Sequence, residues 1–199
     1  MEVVEQVSNE FGYTQYLVRR KVLSVLGAKF HIYNANQELV MFSQMKAFKL
    51  KEDIRLYSDE SMTQELLTIQ ARNVIDFSAT YDVKDARTGE HVGSLRRKGL
   101  KSILKDEWLI LNSGETEIGR IKEESRLLAF LRRFLTGLIP QKYLVQINGN
   151  TISTFKQNFN PFVTKINVDF SADSAGSLDR RLGLAASVLL CAIDGKQQG

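Results

Sequence analysis

Apolar and polar side chains alternate one by one along most of this chain, the rhythm of strands with one dry face and one wet face. In residues 28–34, Phe30 and Ile32 fall on one side while Lys29, His31 and Tyr33 fall on the other. Leu67, Ile69 and Ala71 alternate with Thr68, Gln70 and Arg72, and Phe77, Ala79, Tyr81 and Val83 with Ser78, Thr80 and Asp82. Tyr143, Val145 and Ile147 alternate with Gln146 and Asn148, and Ile166, Val168 and Phe170 with Lys165, Asn167 and Asp169. Turn-forming sequences separate the runs: Asn34-Ala35-Asn36-Gln37, Ala86-Arg87-Thr88-Gly89, Asn112-Ser113-Gly114 and Asn148-Gly149-Asn150. Counting runs between turns predicts about twelve strands, and the dry-and-wet alternation favours antiparallel order.

Two stretches break this rhythm. In residues 125–139, Leu127, Leu128, Phe130, Leu131, Phe134, Leu135 and Leu138 recur at helical spacing opposite Arg126, Arg132, Arg133 and Thr136. Such an amphipathic helix either plugs a barrel mouth or lies in a membrane interface, and a plug is expected because an apolar face normally seeks the core. Phe130 and Phe134 would share its apolar face, with Arg132 and Arg133 opposite. The second stretch, Leu182 to Ile193, carries no charged side chain on any face. A helix apolar all round must be wrapped by something apolar, and one of about 18 Å falls short of the ~30 Å bilayer core. The strands must supply the wrapping. The pattern therefore predicts a mainly β fold, a closed antiparallel barrel around a buried C-terminal helix. Ser177 is the expected N-cap, Asp179 a first-turn acid and Gly195 the stop.

Several segments resemble the LURP-one-related family, which sits with tubby C-terminal domains and phospholipid scramblases in one superfamily. They are Asn73 to Val83, Thr88-Gly89-Glu90, Val92-Gly93, Arg96 to Ser102 and Asp106-Glu107-Trp108. Tyr16 to Lys21 and Phe30 to Tyr33 are similar to the family's opening strands, and Leu178 to Leu182 to the start of its central helix. The resemblance implies a twelve-stranded barrel around a hydrophobic helix. It implies much less about activity, since tubby domains bind phosphoinositides, scramblases act at membranes and most LURP-one-like proteins have no assigned activity.

Composition narrows the classes. At 199 residues with only two prolines, both between runs, one domain over residues 14–199 after a tail at 1–13 is the economical organisation. The single cysteine, Cys191, falls in the apolar helix as a core residue and cannot form an internal disulfide. The acidic start Met1 to Glu5 has no basic and apolar leader pattern, so a cytoplasmic protein, peripheral to a membrane at most, is expected. A net charge of +4 tolerates anionic partners without the interleaved basic and aromatic pattern of a nucleic-acid binder, and no nucleic-acid partner is expected.

Candidate chemistry concentrates in one basic run. Arg96, Arg97, Lys98, Lys101 and Lys105 put five cations within ten residues around Gly99, a set able to hold phosphate oxygens. Lys46, Lys49 and Lys51 form a second basic stretch. The alternative for either is a solvated strand edge guarded by lysine. Asp169, Ser171 and Asp173 occupy alternating positions of a calcium-loop pattern, but Ser174 and Arg180 stand where that pattern needs Gly and Glu. A connector that caps the helix is expected there, with no metal. His31 and His91 lie in different strands, and no HExxH, GxSxG or P-loop spacing occurs, so neither catalytic residues nor a cofactor are expected. The sum is a non-catalytic binding or scaffold module that engages anionic phospholipid headgroups or another protein at a membrane surface. The alternative is a protein-interaction or regulatory domain without lipid contact.

Overall fold

A computed structural model gives the tertiary structure and describes residues 9–22, 27–45, 53–72, 79–98, 107–124, 141–158 and 163–194. Twelve strands appear in chain order: β1 (Gln15–Val22), β2 (Ala28–Asn34), β3 (Leu39–Met45), β4 (Asp53–Tyr57), β5 (Glu65–Ala71), β6 (Thr80–Asp85), β7 (His91–Arg97), β8 (Glu107–Asn112), β9 (Glu117–Glu123), β10 (Lys142–Ile147), β11 (Asn150–Asn158) and β12 (Val163–Asp169). One helix, α1 (Arg180–Asp194), follows. Each strand pairs antiparallel with its sequence neighbours, and β1 with β12 closes the barrel. That closing ladder runs from Gln15 opposite Asp169 to Lys21 opposite Val163.

The alternation expected from sequence holds where the strands are regular. β2 buries every second residue, with Phe30 and Ile32 inside and Lys29, His31 and Tyr33 outside. Near the turns it breaks. Each of the five tight hairpins carries one register shift, after Ile32, Leu56, Val83, Ile110 and Val145. A bulge adds one residue to one strand, increases local twist and helps a sheet curl into a barrel. It also changes the phase of the side chains, and Met41 and Leu66, beside Val40 and Leu67, are buried in consecutive positions.

The turns follow from local chemistry. Asn34 Oδ1 accepts from the backbone N–H of Asn36 and of Glu38, both at 3.0 Å. Asn112 Oδ1 does the same for Gly114 and Thr116 at 3.0 and 2.9 Å. These loops close on a side-chain oxygen that replaces a missing backbone acceptor.

α1 lies inside the barrel against β12, β1, β7, β6 and β5. Leu182 to Ala192 are buried without interruption, Cys191 among them. Ser187 satisfies its hydroxyl within the helix, donating to the Leu184 carbonyl at 2.8 Å. Fully burying a leucine such as Leu189 stabilises by roughly 1.5–3 kcal/mol, and this helix has four, at 182, 184, 189 and 190. The N-cap differs from expectation. Asp179, not Ser177, precedes the first helical residue, and its Oδ1 accepts the Arg181 N–H at 2.8 Å. Ser177 belongs to the connector, where its own N–H is bound by Asp173. Gly195 lies outside the described residues.

Ahead of β1, Phe11 and Tyr13 pack on the core. The Tyr16 hydroxyl donates to the Glu10 carbonyl at 2.9 Å and accepts the Tyr13 N–H at 3.0 Å. Burial pushes that hydroxyl up to about 12.

Up-and-down closure gives the barrel two unlike ends. One carries the five tight hairpins and the start of α1. At the other, β1, β3, β5, β7, β9 and β11 end and the even-numbered strands begin.

Candidate functional site

Of the basic residues singled out in sequence, Arg96, Arg97 and Lys98 belong to that second rim. β7 ends in Arg96 and Arg97, with Lys98 just beyond. Lys98 Nζ lies 3.2 Å from Glu107 Oε1 on β8. Arg96 donates to Thr80 Oγ1 at 3.2 Å and stands 3.8 Å from Glu115. Arg97 faces Tyr81 electrostatically. These three occupy one strand end but do not converge on a common point, since Arg96 and Lys98 turn to different carboxylates. Lys101, Lys105, the Lys46 to Lys51 stretch and the helix expected over 125–139, with Phe130, Arg132, Arg133 and Phe134, lie outside the described residues.

A constellation the sequence did not announce forms on the outer wall. Arg72, at the end of β5, lies across Asp82 on β6, Ser94 on β7 and Glu115 in the β8–β9 turn. Its Nε donates to both Asp82 oxygens at 2.9 Å, its Nη1 to Glu115 Oε2 at 3.0 Å, and its Nη2 to Ser94 Oγ at 3.1 Å and to Glu115 Oε1. Ser94, fully buried beneath the guanidinium, donates to Asp82 Oδ1 at 2.8 Å. Burial alone would raise the Asp82 carboxyl, but the hydrogen bonds from Arg72 and Ser94 hold it below the usual carboxylate range. Arg72 likewise lowers Glu115.

His91 completes the group. Donor atoms of Asp82, His91 and Glu115 lie within 4.8 Å of one another, a set able in principle to hold a metal ion. Arg72 already stands between the two carboxylates and supplies the positive charge a divalent ion would bring. The trio of His91, Ser94 and Asp82 is no relay either. Ser94 Oγ and Asp82 Oδ1 approach the same ring nitrogen, Nε2, at 3.3 and 3.4 Å, whereas a relay needs the carboxylate on the opposite nitrogen. The geometry is that of a clasp joining three hairpins.

The stretch read as a defective calcium loop is a connector held by its own arginine. Asp173, 1% exposed, accepts from Ser177 N–H at 2.7 Å, Leu178 N–H at 3.1 Å and Arg180 Nη1 at 3.0 Å. The Arg180 guanidinium also sits 4.6 Å above the Phe170 ring. Beside it, Arg181 reaches Asp85 at 3.1 Å, Glu90 at 2.7 Å and Asp179 at 2.7 Å, which latches the start of α1 to the β6–β7 hairpin. Burial opposes ionisation of Asp85, yet the bonds from Arg87 and Arg181 pull its carboxyl down to about 2.

Sequence reasoning had no means of finding the Arg72 clasp, because its members come from β5, β6, β7 and the β8–β9 turn and each reads alone as an ordinary wet-face residue. Among the described residues no helix is long and apolar enough to cross a membrane. No curated protein and no solved structure matched in the comparisons. Residues 39–181 match the family model described as LURP-one-related, a stretch that runs from β3 through the connector to the first turn of α1. With twelve strands closed around an apolar helix and most of the chain covered by that match, this protein belongs to the LURP-one-related family.

Proposed function

We propose that this protein is a non-catalytic binding module that engages anionic phospholipid headgroups at a membrane surface through the rim where β7 ends. One observation carries the reading: β3, β7 and β9 end on the same rim of the closed barrel. The chain leaves those three strand ends into the lysine stretch at 46–51, the basic run at 96–105 and the amphipathic stretch at 125–139. A headgroup layer meeting that rim would face the strand ends from which all three depart. Cations near such a surface each contribute about 1 kcal/mol, and the attraction fades within a Debye length.

The test replaces Arg96, Arg97 and Lys101 by Ser and measures flotation with phosphatidylcholine vesicles that do or do not contain phosphatidylserine. Binding of the wild type to anionic vesicles should fall on the order of a hundredfold in the variant and weaken with salt. Wild-type protein that ignores anionic vesicles at low salt would favour the protein-interaction reading instead.

A further inference from the structure

On the outer wall of β11, β12, β1 and β2, Lys156, Lys165, Arg19, Lys21 and Lys29 all point away from the core. Arg19 stands directly opposite Lys165, and Lys21 directly opposite Lys29. Like charges facing each other across two strands repel, and sheets normally avoid the arrangement. Here it occurs twice on adjoining ladders. None of the five has an acidic partner among the described residues, and Lys29 only approaches the Phe42 ring, at 5.7 Å from its centroid. The outward positions of these four strands from Thr154 onward hold one acid, Asp169, at the far hairpin end.

The wider charge distribution repeats this polarity. Glu38, Asp59, Glu60, Glu90 and Glu115 sit in turns of the hairpin end, whose arginines Arg87, Arg180 and Arg181 are all paired with acids. At the opposite rim the acids Glu107 and Glu124 are each held by a cation, Lys98 and Lys142. Lys84 on β6 and Lys122 on β9 also lack an acidic partner among the described residues, but each is the lone such cation on its strand. The five on the β1–β2 side lie on adjoining strands next to the rim where β7 also ends.

We infer that this wall is the main electrostatic contact of the barrel with an anionic bilayer, so that the protein docks with the rim and the β11–β12–β1–β2 wall toward the membrane and the hairpin end away. The inference rests on the membrane reading above and adds to it a surface and an orientation. The five cations span about 14 Å across four strands on a convex face, so they do not converge on one phosphate as a headgroup cradle would. A charged plane reads their sum. The outward rings on this wall are not offered as base platforms: His31 and Tyr33 stack on each other at 6.2 Å, and His31 bonds Glu60 at 2.9 Å.

The experiment compares wild type with the variant Arg19→Ser, Lys21→Ser, Lys165→Ser in flotation with phosphatidylcholine vesicles with and without phosphatidylserine. A charge-preserving variant, Arg19→Lys, Lys21→Arg, Lys165→Arg, is run beside them. Anionic-vesicle binding should fall on the order of a hundredfold in the Ser variant and persist in the charge-preserving one. The thermal midpoint of the Ser variant should hold or rise, because two cross-strand repulsions are removed. If wild type binds and the Ser variant binds equally, the wall inference is overturned while the rim reading stands. Wild type that binds no anionic vesicle overturns both. Capture of a single-stranded oligonucleotide in place of vesicles, lost in the Ser variant, would give the wall to nucleic acid and overturn the inference.

Discussion

At the scale of the residue, Gly183 carries more than its size. A Cβ on this helical glycine would lie 2.7 Å from two carbons of the Phe170 ring and 3.1 Å from Leu178. In an exposed helix Gly→Ala gains about 1 kcal/mol. Here Phe170, fully buried and packed edge-on against Phe155 and Tyr16, has no room to yield, and overpacking costs typically about 1–3 kcal/mol. Gly183→Ala should therefore lower the thermal midpoint despite its better helix propensity; a higher midpoint would show that the ring moves aside. The glycine was legible in the sequence only as a gap in an apolar run. Its reason is the ring of Phe170, thirteen residues earlier in the chain, which the connector brings against the helix.

At the scale of the element, the decisive contact is the latch between α1 and the β6–β7 hairpin. An apolar helix inside a barrel gains burial on all sides but no fixed axial position, and Arg181 with Asp85, Glu90 and Asp179 supplies one. The Asp85 carboxyl, 2% exposed, titrates near 2 when folded against an ordinary 3.8. A lowered folded value stabilises fully above the unfolded value and is lost as pH falls through the folded one. The shift amounts to about 2 kcal/mol, lost between about pH 4 and pH 2. Asp85→Asn should be less stable than wild type at neutral pH, with the gap closing toward pH 2. Urea unfolding across that range checks it, and a gap independent of pH would remove Asp85 from the latch. The helix and its burial were expected from composition alone. The latch was not, because Asp85 and Glu90 flank a turn some ninety residues before Arg181, which reads in sequence only as a charge at the start of an apolar helix.

At the scale of the molecule, the barrel is closed unevenly. β1 and β12 share seven register pairs, from Gln15–Asp169 to Lys21–Val163, whereas β3 and β4 share a single one, Phe42 opposite Tyr57. No second register pair joins these two strands among the described residues, and inside the barrel the fully buried Ser43 Oγ on β3 finds no hydrogen-bond partner there either. Strands with few ladder bonds open at lower free energy than the rest of a fold. Hydrogen exchange should therefore release the amides on the facing edges of β3 and β4 before those between β1 and β2. Equal protection around the barrel would mean that the seam is as tight as the other ladders.

The sequence by itself determined the class of fold, because strand alternation and an all-round apolar helix are periodic signals contained within a few residues of chain. Phe30 and Ile32 against Lys29 and His31, or Leu182 to Ala192 without a charge, need no partner to be read. The tertiary structure alone decided what meets what. Arg19 and Lys165 come from opposite ends of the chain and face each other only because β1 closes on β12. Arg72 finds Asp82, Ser94 and Glu115 only in the register that adjoining hairpins adopt. The five bulges that shift that register have no signature in the alternation they interrupt. Register is a property of the closed sheet, where a slip of one residue would turn every side chain of a strand to the other face. Surfaces built from outward residues of several strands are therefore written only in the closed barrel.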